Sequence, residues 1–380
     1  PQSLIVNENN ELLILGVTGS ANFPITNAFQ SEFKGGEEIF PFGGGENNLL
    51  FPNGSDLFVT RLSFNGSSLI GSTYVGGSGN DGLSEIGGEL VRNYGDQSRG
   101  DILVKSDGNV LFVSQTSSSD FPILDAFQPD LAGGYDAVVI ELSPQLDQMI
   151  FSSFLGGSAS DAAYTIKENT NGQIIVGGGT ASSDIHINNT SFTQSNFGNI
   201  DGWLALIDRS TLMLDTGFYI GTDTYDQLYF LDFDADNNIY TYCQSAVDFP
   251  ITGNVFNSGS GQFVQKWQAD LKQLIASTRF GSSSTIPDIS PTAFLVNDCD
   301  NIYLSGWGGD TNDGYNGGST NNMPISSDAF QSSTSGSDFY LMTLSSDLTN
   351  FLYGTYLGGT QSKTHVDGGT SRFDIRGIVY

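Results

Sequence analysis

The sequence predicts an all-β protein assembled from repeated four-stranded units. Three observations carry that prediction. Short apolar segments recur in a fixed order, tight-turn dipeptides separate them, and helical periodicity is missing throughout.

The first recurring segment opens on Asp in four copies and on Gly in one, and runs on in mainly apolar residues: "DLFVTRLS" (56–63), "DAVVIELS" (136–143), "DGWLALID" (201–208), "GQFVQKWQ" (261–268) and "DFYLMTLS" (338–345). The next is "STYVGG" (72–77), "SSFLGG" (152–157), "TGFYIG" (216–221), "STRFGS" (277–282) and "GTYLGG" (354–359), with starts 80, 64, 61 and 77 residues apart. A variable stretch leads to a second pair of apolar runs, ending in "NVLFVSQT" (109–116), "QIIVGGGT" (173–180), "NIYTYCQS" (238–245) or "NIYLSGWG" (301–308), with "ELLILGVT" (11–18) as an earlier copy. Last comes "NFPITNAFQ" (22–30), "DFPILDAFQ" (120–128), "DFPITGNVFN" (248–257) or "MPISSDAFQ" (323–331), with "DIHINNTSFTQ" (184–194) as a degenerate version.

Each unit therefore holds four short runs rich in Val, Ile, Phe and Tyr, with turns such as Asp107-Gly108 and Asn171-Gly172 between them. The runs are nearly continuous in apolar residues, which suits strands covered on both faces. Four-stranded units of this length, each packed between neighbours, describe the blades of a β-propeller. The units run approximately 1–55 (partial), 56–135, 136–200, 201–260, 261–337 and 338–380 (truncated), five recognisable units plus a half. Pro24, Pro122, Pro250 and Pro324 cannot donate to a ladder and belong where the chain leaves a sheet. Phe29, Phe127, Phe256 and Phe330 are expected to anchor the connector between blades. Because the chain opens inside a unit and stops on "RGIVY" (376–380), in mid-strand, we expect it to be a piece of a longer protein.

One nonamer suggests a different fold. "GGSGNDGLS" (76–84) fits the calcium-binding nonapeptide of parallel β-helices, but nine-residue spacing is absent, and a single copy builds no site.

The pattern "DAVVIEL … FLGGS … D … NIYLSGWG … DFP" resembles the bacterial β-propeller repeat family known as SBBP, over nearly the whole chain. The segments at 277–309 and 365–380 resemble those of very large cell-surface proteins of Bacteroidota, the gliding-motility-associated cargo of type IX secretion. That resemblance implies an exported, surface-associated, non-enzymatic protein that serves surface display, adhesion or gliding. The implied partners are other cell-surface or secretion-system proteins, or glycans. The alternative is a carbohydrate-binding or carbohydrate-cleaving propeller.

Composition narrows the chemistry. With 13 Lys and Arg against 42 Asp and Glu, the net charge is −29, which disfavours nucleic acid and anionic lipid as partners. No run approaches the roughly 18 apolar residues of a membrane span, so no direct membrane insertion is expected in this segment. Two cysteines, Cys243 and Cys299, and two histidines, His186 and His365, form neither a disulfide scaffold nor a Cys/His zinc site. Whether the cysteines are bridged is open at this level.

The strongest polar cluster is "DFDADNN", where Asp232, Asp234 and Asp236 alternate and point to calcium as the one candidate cofactor. It is no EF-hand, since Asn237 occupies the glycine position and Cys243 the position of the bidentate Glu. The stretch at 310–318 and the loop at Asp81 are weaker versions. Asp120, Asp184 and Asp248, and again Asp56, Asp136, Asp201 and Asp338, recur in phase with the repeat, as turn-capping carboxylates would. The histidines have no neighbouring nucleophile motif, and the Gly-rich stretches at 43–45 and 177–179 lack the Lys-Ser/Thr of a phosphate loop. Trp203, Trp267 and Trp307 fall in strand runs and are expected in the core. No catalytic residue stands out. Partner recognition is expected on the long inserts at 31–55, 78–100 and 309–322.

Overall fold

A computed structural model describes residues 1–42, 49–185, 196–208, 211, 213–282, 286–297, 299, 301–309 and 318–359. Among these residues the chain forms five sheets. The first takes β1 (Ser3–Val6), β2 (Leu12–Thr18), β3 (Asp56–Leu62) and β4 (Leu69–Val75); the second β5 (Asp101–Val104), β6 (Val110–Thr116), β7 (Asp136–Leu142) and β8 (Met149–Leu155). The third takes β9 (Asp161–Glu168), β10 (Ile174–Thr180), β11 (Asp201–Asp208) and β12 (Met213–Ile220). In the fourth, β13 (Asp226–Phe233) and β14 (Ile239–Ser245) precede the short β15 (Asn257–Ser258), β16 (Gln262–Trp267) and β17 (Leu274–Phe280), with β15 pairing parallel to β17. The fifth is β18 (Ser290–Val296), β19 (Asn301–Trp307), β20 (Phe339–Ser345) and β21 (Phe351–Leu357). Apart from β15, which lies at the edge beyond β17, strands follow one another across each sheet in chain order. These are the four-stranded blades of a β-propeller.

The recurring first segment occupies one position everywhere: β3, β7, β11, β16 and β20 are each the third strand of the four-stranded ladder. The repeat counted from Asp56 and the sheets are thus two strands out of phase. Residues 1–55 supply the first two strands of a complete sheet, and the Phe-Pro segments lie within blades, between second and third strands, rather than between blades. A cyclic repeat has no intrinsic origin; pairing sets it, as where Thr18 faces Asp56 and Thr116 faces Asp136.

The phenylalanine anchors join sheets all the same. The Phe29 N–H donates to Leu146 O at 2.8 Å, and the Phe256 N–H to Leu348 O at 2.7 Å. Both leucines sit in hairpin turns at positive φ, 64° and 60°, and both are fully buried. A left-handed leucine costs about 1–2 kcal/mol, and burying its side chain contributes about 1.5–3 kcal/mol in return. Phe127 instead packs within its own sheet, on Phe151 of β8, with ring centroids 5.9 Å apart. Phe330 departs from the expectation: it is 80 % exposed, with no hairpin among the described residues to receive it.

The chain divides into two compact units. One comprises 1–91, 95–188 and 205–215, the other 92–94, 189–204 and 216–380. The first has a core of Leu13, Leu15, Leu57, Val59, Phe112, Val138, Ile140 and Phe154, among others. The second has one built around Tyr240, Tyr242, Phe280, Leu304, Tyr340 and Met342. Trp203, Trp267 and Trp307 are buried, as expected.

Candidate functional site

In the first unit, three carboxylates converge on each of two Gly-Gly pairs, Gly76-Gly77 and Gly156-Gly157. A Cβ on Gly76 would lie 2.5 Å from Asp81 Oδ2 and 2.9 Å from Asp56 Oδ1, and one on Gly77 would lie 2.5 Å from Asp120 Oδ1. The next repeat copies this. Gly156 faces Asp136 at 2.6 Å and Asp161 at 2.9 Å, and Gly157 faces Asp184 at 2.5 Å. The glycines recur because no side chain fits among the carboxylates.

Each carboxylate has its own donors. Asp56 accepts the N–H groups of Lys34 (2.8 Å) and Gly35 (2.7 Å), and Asp136 those of Ala132 (2.9 Å) and Gly133 (3.1 Å). The glutamine of the "AFQ" motif links these carboxylates to the glycines. Gln128 donates to Asp136 at 2.9 Å while its Oε1 accepts the Gly156 N–H at 2.9 Å. Gln30 does the same for Asp56 and Gly76.

Asp81 accepts the Gly77 N–H (2.8 Å) and the hydroxyls of Ser118 (2.9 Å) and Thr116. Asp161 accepts the Gly157 N–H (2.7 Å) and the hydroxyls of Ser182 (2.8 Å) and Thr180. Thr116 ends β6, so Asp81 fastens the loop after β4 to the following sheet; Asp161 fastens the loop after β8 to β10. Burial pushes Asp81 up to about 8 and Asp161 to about 7; their donors pull the other way, and the neighbouring Asp56 or Asp136 adds repulsion. Asp120 and Asp184 sit near the surface, where the N–H groups of Ser78 and Ser158 hold them below the usual carboxylate range.

The second unit keeps the scheme with different donors. Asp201 accepts the Phe197 N–H at 2.6 Å, and Asp226 both the N–H and the hydroxyl of Thr222 at 2.6 Å. Asp288 takes the Ser282 N–H at 2.9 Å, and Asp338 the Ser335 N–H at 3.0 Å and the Thr334 hydroxyl at 2.6 Å. Val247 stands two residues beyond Ser245, the place that Ser118 and Ser182 hold after Thr116 and Thr180. Oδ1 of Asp201, of Asp226 and of Asp338 is buried without a hydrogen-bond partner among the described residues. Burial raises Asp201 to about 7, with repulsion from Asp226 adding to it, and raises Asp226 and Asp288 to about 6.

The structure places Asp232, Asp234 and Asp236 in three different settings. Asp232 accepts the Val296 N–H of β18 at 2.9 Å, and Asp236 is exposed. Asp234 caps its own turn through the N–H groups of Asp236 (3.1 Å) and Asn238 (2.8 Å) and pairs with Lys266 at 3.0 Å. Burial would raise Asp234, but Asn238 and Lys266 outweigh it and hold the carboxyl low. Among the described residues, no group of three or more His, Cys, Asp or Glu is arranged to hold a metal ion. Cys243 is buried, Cys299 exposed, and both are free; burial pushes the Cys243 thiol up, away from reactivity. His186, His365, residues 43–45 and 310–317 lie outside the described residues.

Asp248 departs from Asp120 and Asp184, pairing with Arg279 at 3.2 Å. Asp161, Asp226 and Asp288 escaped the sequence reading, although Asp81, Asp161 and Asp226 share a legible signal. Each stands four residues after the N–H it caps, that of Gly77, Gly157 or Thr222.

The insert at 78–100 is held more firmly than its composition suggests. The Asn93 amide donates to Tyr229 OH (2.8 Å) and Gln244 Oε1 (2.9 Å), and Arg92 lies over the Tyr225 ring, all within the second unit. In the first unit, the Gln97 carbonyl accepts from Ser84 N–H and the Gln115 amide. Within the first unit, Glu85, Ile86, Gly87 and Glu89 stay exposed. They wall a cavity of about 150 Å³ together with Leu90, Gln115, Tyr135 and Ser160.

No family model matches the sequence, and no curated protein matches it. Among solved structures, the chain is similar to a protein of unknown function from Dyadobacter fermentans, at 12 % identity and a TM-score of 0.46, covering 97 % of this chain and 85 % of that one. It is also similar to the Dos1 propeller (8 % identity, TM-score 0.41, covering 88 % and 62 %) and to an ulvan lyase of polysaccharide lyase family PL25 (9 % identity, TM-score 0.37, covering 97 % and 70 %).

Proposed function

We propose that the chain is a non-enzymatic interaction scaffold, the propeller module of an exported surface protein of the SBBP type. Its role is in surface display, adhesion or gliding, and its partners are other surface or secretion-system proteins, or glycans. One observation carries this reading. The recurring carboxylates of the first unit, the groups that acid–base or metal chemistry would need, are occupied by backbone N–H and hydroxyl donors that hold the loops. Exposed side chains on a firmly held base remain for recognition, and Glu85–Glu89 are such a set.

Replacing Glu85–Glu89 by a Gly-Ser segment tests the reading. The thermal midpoint is expected to stay within about 2 °C, as for surface changes away from packed features. Attachment to the cell surface is expected to fall. Turnover of a polysaccharide by the wild-type chain, abolished by a single carboxylate substitution, would replace the scaffold by the carbohydrate-cleaving alternative.

A further inference from the structure

We propose that the cavity under the 84–90 loop receives one basic side chain, an arginine or lysine, from a protein partner; this rests on the interaction-scaffold reading and names its ligand chemistry.

Size comes first. A cavity of about 150 Å³ is well below the roughly 300–1,000 Å³ of sites that enclose a whole small molecule, and a cavity of this volume holds about one benzene-sized group. One side chain fits; an oligosaccharide does not. The lining then selects its chemistry. Ile86, Leu90 and the Tyr135 ring offer apolar wall to an aliphatic stem, while Glu85 and Glu89 stand exposed at the rim. No Lys or Arg is among the lining residues.

The field inside has the matching sign. Burial is the largest cause raising the Tyr135 phenol, and the negative charge of Glu85 raises it further. The same charge that disfavours a phenolate there favours a cation, and an aromatic face adds a cation–π contact. An anion is rejected on the same ground. The net charge of −29 extends this preference to the approach of a basic partner.

The loop is built to keep the cavity open. Gly88 N–H bonds to Glu85 O at 3.1 Å and Val91 N–H to Gly88 O at 3.0 Å, so two tight turns hold the rim without using either glutamate side chain. Gly87 has a positive φ of 79°, which glycine adopts without strain.

The test uses the whole chain and small probes. N-acetyl-arginine amide and N-acetyl-lysine amide are titrated against the Ile86 methyl resonance, with N-acetyl-norleucine amide as the uncharged isostere and glucose as the neutral sugar. Saturable binding is expected for the two cations only. It should weaken about fivefold or more in an E85Q/E89Q double variant and on raising the salt from about 0.05 to 0.5 M. Both substituted side chains are exposed, so the variant keeps the fold. Norleucine amide binding as tightly as arginine amide, or cation binding unchanged in the variant, would overturn the proposal. Saturation by glucose would make the cavity a glycan subsite instead. If no probe binds while loop replacement still abolishes surface attachment, the cavity proposal fails and the scaffold reading stands. If attachment is also unchanged, both fail.

Discussion

Asp161 offers the sharpest test of the carboxylate network. Replacing it by alanine removes the acceptor of the Gly157 N–H and of the Thr180 and Ser182 hydroxyls, all buried. The hydroxyls can re-aim, since Ser182 Oγ already accepts the Ala159 N–H, but the backbone N–H is fixed. An orphaned buried donor costs about 1–3 kcal/mol, and with the small void and the loosened loop we expect a loss of about 3 kcal/mol at pH 5. The pH dependence follows from burial raising Asp161 to about 7, against an unfolded value near 4. Between those values the folded state holds the extra proton, so this residue's contribution is full below about pH 4 and is lost as pH rises through 7. The gap between wild type and Asp161→Ala should therefore be larger at pH 5 than at pH 8. Urea unfolding at the two pH values, followed by tryptophan fluorescence, measures it. A gap under about 1 kcal/mol at pH 5, or one that widens towards pH 8, would refute the reasoning.

Three further outcomes follow from the same geometry. Gly156→Ala should destabilise by about 1–3 kcal/mol, because its Cβ would sit 2.5 Å from Asp136 Cγ, whereas Gly134→Ala, with open space around it, should be near neutral in the same unfolding assay. Lys105 and Glu141 form a buried ion pair at 2.5 Å, so Lys105→Met alone should cost about 3–5 kcal/mol, and adding Glu141→Leu should recover much of it in a double-mutant cycle. Calcium at the Asp234 turn would have to displace Lys266, so calorimetric titration with calcium should give the same isotherm for wild type and Asp234→Asn; a wild-type signal lost in the variant would assign that turn to calcium.

Much of the architecture is legible in the sequence because it is local. The apolar runs after Asp56, Asp136, Asp201 and Asp338 name the third strand of four blades, and the turn dipeptides bound them. The phase of the sheets is not local. It depends on which pairs of runs close as ladders, and the Phe-Pro segment looks the same whether it joins two blades or two strands of one. The acidic loops were half legible. Recurrence marks Asp56 and Asp120 as structural, but Asp81 and Asp161 draw their hydroxyl donors from 19–37 residues further on, which spacing alone does not reveal. The contacts of Asn93, with partners 136 and 151 residues away, carry no local signal at all.

The central claim is that the acidic Gly-Gly loops are closed structural fastenings rather than open ligand sites. Amide hydrogen exchange at Gly77 and Gly157 tests it most directly, since both lie outside any strand and their N–H groups are bonded to Asp81 and Asp161. The account predicts that both amides exchange as slowly as those of the adjoining strands β4 and β8, and that Asp81→Asn speeds Gly77 while leaving Gly157 unchanged. Exchange at both positions as fast as in an unstructured loop would contradict it, because the carboxylates would then be free for a cation or a substrate.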